Sequence, residues 1–187
     1  MPEISSPAQL ESLRKKLQGK YESPQKIVAV CGGTGCKAQR SFSLADAFRK
    51  QIRSKRLGKK VELRLTGCHG FCERGPLVLV HPEGILYQRV KESDAAEILD
   101  QTVRKGKVIE RLLYRDPQTD TPIAREADIP FYKHQKRLVL ADNGQLDPTS
   151  IDEYIARGGY AALARAIEKG AEWVLRQVEA SGLRGRG

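Results

Sequence analysis

The chain has 187 residues, 40% hydrophobic and 30% charged: one domain and part of another, with enough apolar content for a core and too much for wholesale disorder. Its longest uncharged apolar runs, such as Leu77 to Val80, fall far short of the ~20 residues of a membrane span, and Met1-Pro-Glu-Ile4 lacks the basic-then-apolar pattern of a secretion signal, so a cytoplasmic setting with reduced cysteines is expected. Thirty-three Lys and Arg against 23 Asp and Glu give a formal charge of +10, which puts anionic partners in view.

Ser6-Pro7 followed by Leu10, Leu13 and Leu17 reads as a short amphipathic helix, capped by the serine and stopped at Gly19, with Tyr21 to Gln25 as a linker. Lys26 to Val30 reads as a strand and Cys31-Gly-Gly-Thr-Gly-Cys36 as a loop. Ser41 caps a helix carrying Phe42, Leu44, Ala45, Phe48 and Ile52, ended by Gly58. Much of the excess charge sits there: Arg49, Lys50, Arg53, Lys55, Arg56, Lys59 and Lys60, with no acid among them. No aromatic residue interleaves that run as base stacking requires, so a solvated helix face, then an anionic protein or cofactor, is preferred over nucleic acid.

Val61 to Leu65 alternates and reads as a second strand. The loop Gly67-Cys-His-Gly-Phe-Cys-Glu-Arg-Gly75 follows it. Leu77 to His81, a Pro82-Glu83-Gly84 turn and Ile85 to Val90 read as a hairpin. Ser93 caps a helix with Ala95, Ala96, Ile98, Leu99 and Val103, stopped by Gly106. A strand–helix–strand unit is a right-handed crossover between parallel strands. Both glycine–cysteine loops then leave the same sheet edge.

Beyond Gly106, Val108 to Tyr114 reads as helical, Arg115 to Pro130 as a linker or extended arm, and Arg137 to Ala141 as a short strand before an Asn143-Gly144 turn. Ser150 caps Ile151 to Ala156. Two further helices, Tyr160 to Lys169 and Glu172 to Ala180, lead to Gly182, too little for an independent core. The expected organisation is a helix and linker over 1–25, a first domain over 26–106, a linker over 107–137 and a mostly helical, incomplete segment over 138–187.

The four cysteines, Cys31, Cys36, Cys68 and Cys72, are spaced C-x4-C, then 31 residues, then C-x3-C. All are expected in glycine-rich turns, where ligands are commoner than packing cysteines. Zinc favours tighter C-x2-C knuckles. A [2Fe–2S] cluster takes two thiolates per iron and needs wider loops, and Gly32, Gly33, Gly35, Gly67 and Gly70 let backbone N–H groups approach sulfur. The spacing favours iron–sulfur. A zinc-stabilised basic binding protein is the alternative.

Gly33-Thr-Gly35-Cys-Lys-Ala38 matches a dinucleotide fingerprint, but the second strand ends Leu65-Thr66-Gly67-Cys68, without the acid that would hold a ribose. Neither pair is the C-x-x-C of a thioredoxin-type redox site. A Rieske centre needs two histidines, so His69 reads as a supporting or solvent-facing group. His81 and His134 have no constellation around them.

These residues, Cys31-Gly-Gly-Thr-Gly-Cys36 and Gly67-Cys-His-Gly-Phe-Cys-Glu-Arg-Gly-Pro76 with the hairpin, resemble the thioredoxin-like [2Fe–2S] ferredoxin domain of 24-kDa-type complex I subunits, over roughly 26–105. The resemblance implies an α/β thioredoxin-like fold and ligation by all four cysteines, one pair on each iron. Leu138-Val-Leu-Ala-Asp-Asn-Gly, Asp147-Pro, Ile151-Asp-Glu-Tyr-Ile-Ala-Arg-Gly-Gly-Tyr160 and Ser181-Gly-Leu-Arg-Gly-Arg-Gly187 look like the opening of the 51-kDa-type flavoprotein subunit. There, Arg184, Gly185, Arg186 and Gly187 would begin the NAD/FMN loop. The pairing resembles the diaphorase subunit of NAD(P)-linked [FeFe] hydrogenases and of some formate dehydrogenases. It implies an electron path from NAD(P)H through FMN and iron–sulfur clusters to partner subunits. The flavin fold and the [4Fe–4S] cysteines are absent from these residues, so this chain alone is expected to carry electrons without dehydrogenase activity.

Overall fold

The computed structural model describes residues 4–21 and 26–185. The linker expected at 21–25 lies largely outside them, as do Arg186 and Gly187. In chain order the elements are α1 (Pro7–Tyr21), β1 (Lys26–Cys31), α2 (Thr34–Ala38), α3 (Ser41–Ser54), β2 (Val61–Thr66), β3 (Val78–His81) and β4 (Ile85–Tyr87). Then follow α4 (Ala95–Glu97), which continues as a wider π turn over Ile98–Val103, and the short strands β5 (Tyr114–Arg115) and β6 (Pro122–Ile123). Last come α5 (Pro130–Lys133), α6 (Ile151–Ala156), α7 (Ala161–Lys169) and α8 (Ala171–Ser181). Two compact units result, one of residues 24–149 and one of residues 1–23 with 150–187.

The first unit is built on a four-stranded sheet in the order β2-β1-β3-β4. β1 and β2 are parallel, from Lys26 opposite Val61 to Cys31 opposite Thr66. β3 returns antiparallel to β1, with Val30 opposite Val78, and the hairpin closes with Val80 opposite Ile85. The period of two assigns the faces. Val28, Val30, Val78, Val80, Ile85 and Tyr87 join Leu44, Phe48 and Ile52 of α3 and Ile98 and Leu99 on one side. Ala29, Cys31, Leu77, Leu79 and Leu86 point to the other.

That second face is covered by the stretch read as a linker. Tyr114, Ile129 and Tyr132 pack on it, and Ile129 is fully buried. Ile109, Leu112 and Leu113 join the helical side instead. The buried Tyr87 hydroxyl, within 2.6 Å of Thr102 Oγ1, accepts the Ile109 N–H at 3.1 Å. Both faces of a small sheet must be sealed, and the first hundred residues supply helices for only one.

Several local expectations change. Arg137 to Ala141 forms turns, and Val108 to Tyr114 holds one 3₁₀ turn over Glu110–Leu112 before β5. Arg40, in the left-handed region (φ 67°), caps α3, and Ser41 is its first residue. The helix after the hairpin starts with a 3₁₀ turn over Glu92–Asp94, where the Asp94 carboxylate accepts the Lys91 N–H at 2.8 Å, so Lys91 and not Ser93 is the cap residue.

The second unit is small. Leu10 and Leu17 of α1 pack on Ile155 and Ala156 of α6. Ser6 caps α1 by accepting the Gln9 N–H, and α1 runs past Gly19 to Tyr21. Ser150 caps α6 by accepting the Glu153 N–H at 3.2 Å. α7 and α8 are hinged at Gly170 (φ 82°).

Candidate metal centre

Parallel pairing brings the C-terminal ends of β1 and β2 side by side, and both cysteine loops start there. Cys31 is the last residue of β1, and its N–H donates to Leu77 O at 3.1 Å. Cys36 lies on α2, so it is not in an open loop as the glycine content suggested. Both thiols are 1% exposed. In the second loop Cys68 is half-buried and Cys72, more exposed, opens a 3₁₀ turn over Cys72–Arg74. Cys68 Sγ and Cys72 Sγ are 3.8 Å apart, and the Gly70 N–H (φ 86°) donates to Cys68 Sγ at 3.3 Å.

The loops interlock at glycines. A Cβ on Gly33 would lie 2.8 Å from Cys68 Cβ and 3.0 Å from its sulfur, and one on Gly35 would lie 3.1 Å from Cys72 Cβ. On Gly75 it would meet Cys36 Sγ at 2.8 Å. The glycines of the dinucleotide-like run are therefore used against cysteine. Gln39 ties the loops, its side-chain amide donating to Gly35 O at 3.2 Å and Cys72 O at 3.1 Å.

The arrangement is two pairs, Cys31 with Cys36 and Cys68 with Cys72. Among the described residues no three His, Cys, Asp or Glu side chains gather tightly enough for a single ion. The Cys36 thiol donates to Cys31 and holds it far below the usual thiol range, at about 5, while the same hydrogen bond and burial push Cys36 up. Burial pushes Cys68 up. A donor set of two thiol pairs across a glycine-lined contact fits a two-iron cluster.

Residues far along the chain hold the second loop. The Asn143 amide donates to Cys68 O at 2.9 Å, with its Oδ1 where a Gly67 Cβ would stand. His69 is 3% exposed rather than facing solvent. Its ring sits between Thr66 Oγ1 (3.4 Å) and Glu126 Oε1 (3.3 Å), against the backbone of Gly144 (φ 92°). Burial pushes the Glu126 carboxyl up, but His69 and Arg137 outweigh it and leave it below the usual range. His81, given no role from the sequence, donates through Nε2 to Gly144 O at 3.1 Å. His134 is exposed. Phe71, between the two cysteines of this loop, stacks on Phe131 with ring centroids 4.4 Å apart, and Arg74 lies over Tyr114. The sequence offers no signal for Glu126 or Phe131. The Asn143-Gly144 turn was legible only as a turn.

Arg184 and Gly185 are exposed, and no described residue crowds Gly185. Among the described residues no helix is long and apolar enough to cross a membrane.

The profile of the thioredoxin-like [2Fe-2S] ferredoxin family matches residues 18–103. The 2Fe-2S ferredoxin of Clostridium pasteurianum is 35% identical over 77 residues, which span 41% of this chain and 76% of that protein. The protein described as NADP-reducing hydrogenase subunit HndC of Solidesulfovibrio fructosivorans is 46% identical over 55 residues, 29% of this chain and 11% of that protein. The crystal structure of the Aquifex aeolicus thioredoxin-like [2Fe-2S] ferredoxin is 30% identical and covers 50% of this chain and 100% of its own, with a TM-score of 0.45. Zinc, the alternative cofactor, gives way to the iron–sulfur cluster of these relatives. The chain belongs to the thioredoxin-like [2Fe–2S] ferredoxin family, with a [2Fe–2S] cluster as its cofactor and one-electron transfer as its chemistry.

Proposed function

We propose that Cys31 and Cys36 ligate one iron of the cluster and Cys68 and Cys72 the other, and that the chain passes single electrons within an NAD(P)H-linked oxidoreductase of several subunits. The observation that carries the ligand set is the interlock of the loops, Gly33 against Cys68 and Gly35 against Cys72. The cluster supplies a site that gains and loses one electron. The chain's own residues do the rest. Cys31 and Cys36, both buried, would hold one iron and the more exposed Cys68 and Cys72 the other, and the Gly70 N–H donates to the Cys68 sulfur.

The match to HndC supports the NAD(P)H link. In this reading residues 138–187 are the opening of a 51-kDa-type flavoprotein segment, and Arg184 with Gly185, Arg186 and Gly187 starts its NAD/FMN loop. Exposed Leu163, Ile167, Leu175 and Val178 on α7 and α8 are available to further flavoprotein surface. Hydride chemistry belongs to a flavin, so the 187 residues alone bind no stoichiometric FMN and show no NADH dehydrogenase activity.

Iron and acid-labile sulfide measured across the four single Cys→Ala variants test the ligand set. Each variant loses most of the cluster. Wild-type content in Cys68→Ala would remove that residue from the set.

A further inference from the structure

Beside the interlocked loops lies a cavity of about 550 Å³ with Gln39, Arg40, Gly75, Arg89, Lys91 and Glu92 in its wall. Gln39 is the residue that bridges Gly35 O and Cys72 O, and Gly75 stands against Cys36 Sγ, so one wall is the cysteine-loop assembly itself. The Arg89 N–H donates to Arg74 O at 2.9 Å, which fixes the opposite wall to the turn after Cys72. Arg40, Arg89 and Lys91 are exposed, and Glu92 is the single carboxylate among them. Neither Arg40 nor Arg89 forms an ion pair among the described residues, whereas Lys55, just past α3, is paired with Asp100.

The backbone adds a second observation. Arg40 (φ 67°) and Arg89 (φ 50°) both occupy the left-handed region, where glycine or asparagine is accommodated at lower cost. The two arginines thus enter the cavity wall from turn backbone, one at the start of α3 and one just after β4.

We propose that this cavity is the docking surface for a carboxylate-rich patch on the protein that exchanges single electrons with the chain. The reading rests on the cysteine loops holding the cluster. A carboxylate pairs with guanidinium in fork geometry, and complementary charge steers encounter and fixes orientation. Docking here places the partner's surface against Gln39 and Gly75, which touch the cysteine loops at Gly35 O, Cys72 O and Cys36 Sγ, a short path for one electron. An acidic protein also meets the +10 charge of the chain favourably at long range.

Arg56 provides a matched control. It is exposed, makes no ion pair among the described residues and is also left-handed (φ 53°), but it follows the far end of α3. At ~1.5 Å per helical residue it stands about 20 Å from Arg40. The test is stopped-flow oxidation of the reduced protein by the cobalt(III)–EDTA monoanion and by hexaamminecobalt(III), in wild type, Arg40→Asn, Arg89→Asn, the double variant and Arg56→Asn. Each oxidant takes one electron and becomes cobalt(II). Asparagine tolerates the left-handed backbone, so the fold is kept. At low salt each arginine near the loops is expected to change the anionic rate about twofold and the pair about fourfold, the scale of a unit charge at ~8 Å in water. The cationic oxidant should speed up. Polyglutamate should slow wild type and spare the double variant.

Equal slowing by Arg56→Asn would reduce the effect to net charge and overturn the surface. So would unchanged rates in the double variant, or competition by pyrophosphate but not by polyglutamate. The visible spectrum separates the two readings: loss of colour strikes the ligand set, and intact colour with equal rates strikes the docking surface alone.

Discussion

Gly33 is one of the places where the two cysteine loops meet. A methyl group there would lie 2.8 Å from Cys68 Cβ, nearer than such atoms approach, and backbone must move to admit it. Gly33→Ala is expected to spread the loops and lose most of the iron while the far-ultraviolet spectrum stays native. Gly58→Ala, with nothing within 4 Å, should keep full iron content. Charge acts at the same scale. Four thiolates, two sulfides and two ferric ions sum to −2, and reduction adds one more negative charge, so nearby cations favour the reduced state. Arg74 is three-quarters buried and packed over Tyr114, while Lys37 is exposed over the Phe42 ring. Screening weakens an exposed charge more. Arg74→Gln should therefore lower the midpoint potential by up to roughly 40 mV, which is about 1 kcal/mol for one electron, and Lys37→Gln by less. Protein-film voltammetry reads both, and a larger shift at Lys37 would contradict the placement.

At the scale of elements, the second face of the sheet depends on residues after Gly106. Ile129 is fully buried among Tyr114, Tyr132 and Leu79. Ile129→Ala should cost about 2–5 kcal/mol in chemical unfolding; a change below ~0.5 kcal/mol would mean that this segment is not part of the core. The Asn143 turn acts on one loop. Asn143→Ala leaves Cys68 O without its amide donor, and faster loss of iron to a chelator at unchanged unfolding midpoint is the expected result. The strands and the shared edge of the cysteine loops were legible because alternation and glycine are local signals. α2 was hidden because Gly-Gly-Thr-Gly reads as open loop. The covering segment was hidden for a different reason. Its contacts are single residues far apart in sequence, Asn143 on Cys68 and Glu126 on His69, and neither carries a period or a motif. The left-handed arginines were equally illegible, since a positive φ at arginine follows from the packing on either side of it.

At the scale of the whole molecule, the chain combines a ferredoxin unit over 24–149 with a small helical unit made from both of its ends. The ferredoxin unit extends well past the residues matched by the family profile, 18–103, and the added residues seal its sheet and pin the Cys68 loop. Part of the formal charge of +10 lies on two surfaces of this unit. One is the solvated run along and beyond α3, and the other is the arginine-lined cavity beside the cysteine loops. Cys31, Cys36, Cys68 and Cys72 are the proposed ligands of one two-iron cluster in this unit. Quantitative electron paramagnetic resonance of the anaerobically purified, dithionite-reduced chain, paired with iron and sulfide analysis, tests this assignment most directly. About two irons, two sulfides and one unpaired electron per chain are expected, with the signal lost in each Cys→Ala variant. A colourless protein carrying one zinc and no sulfide would contradict it.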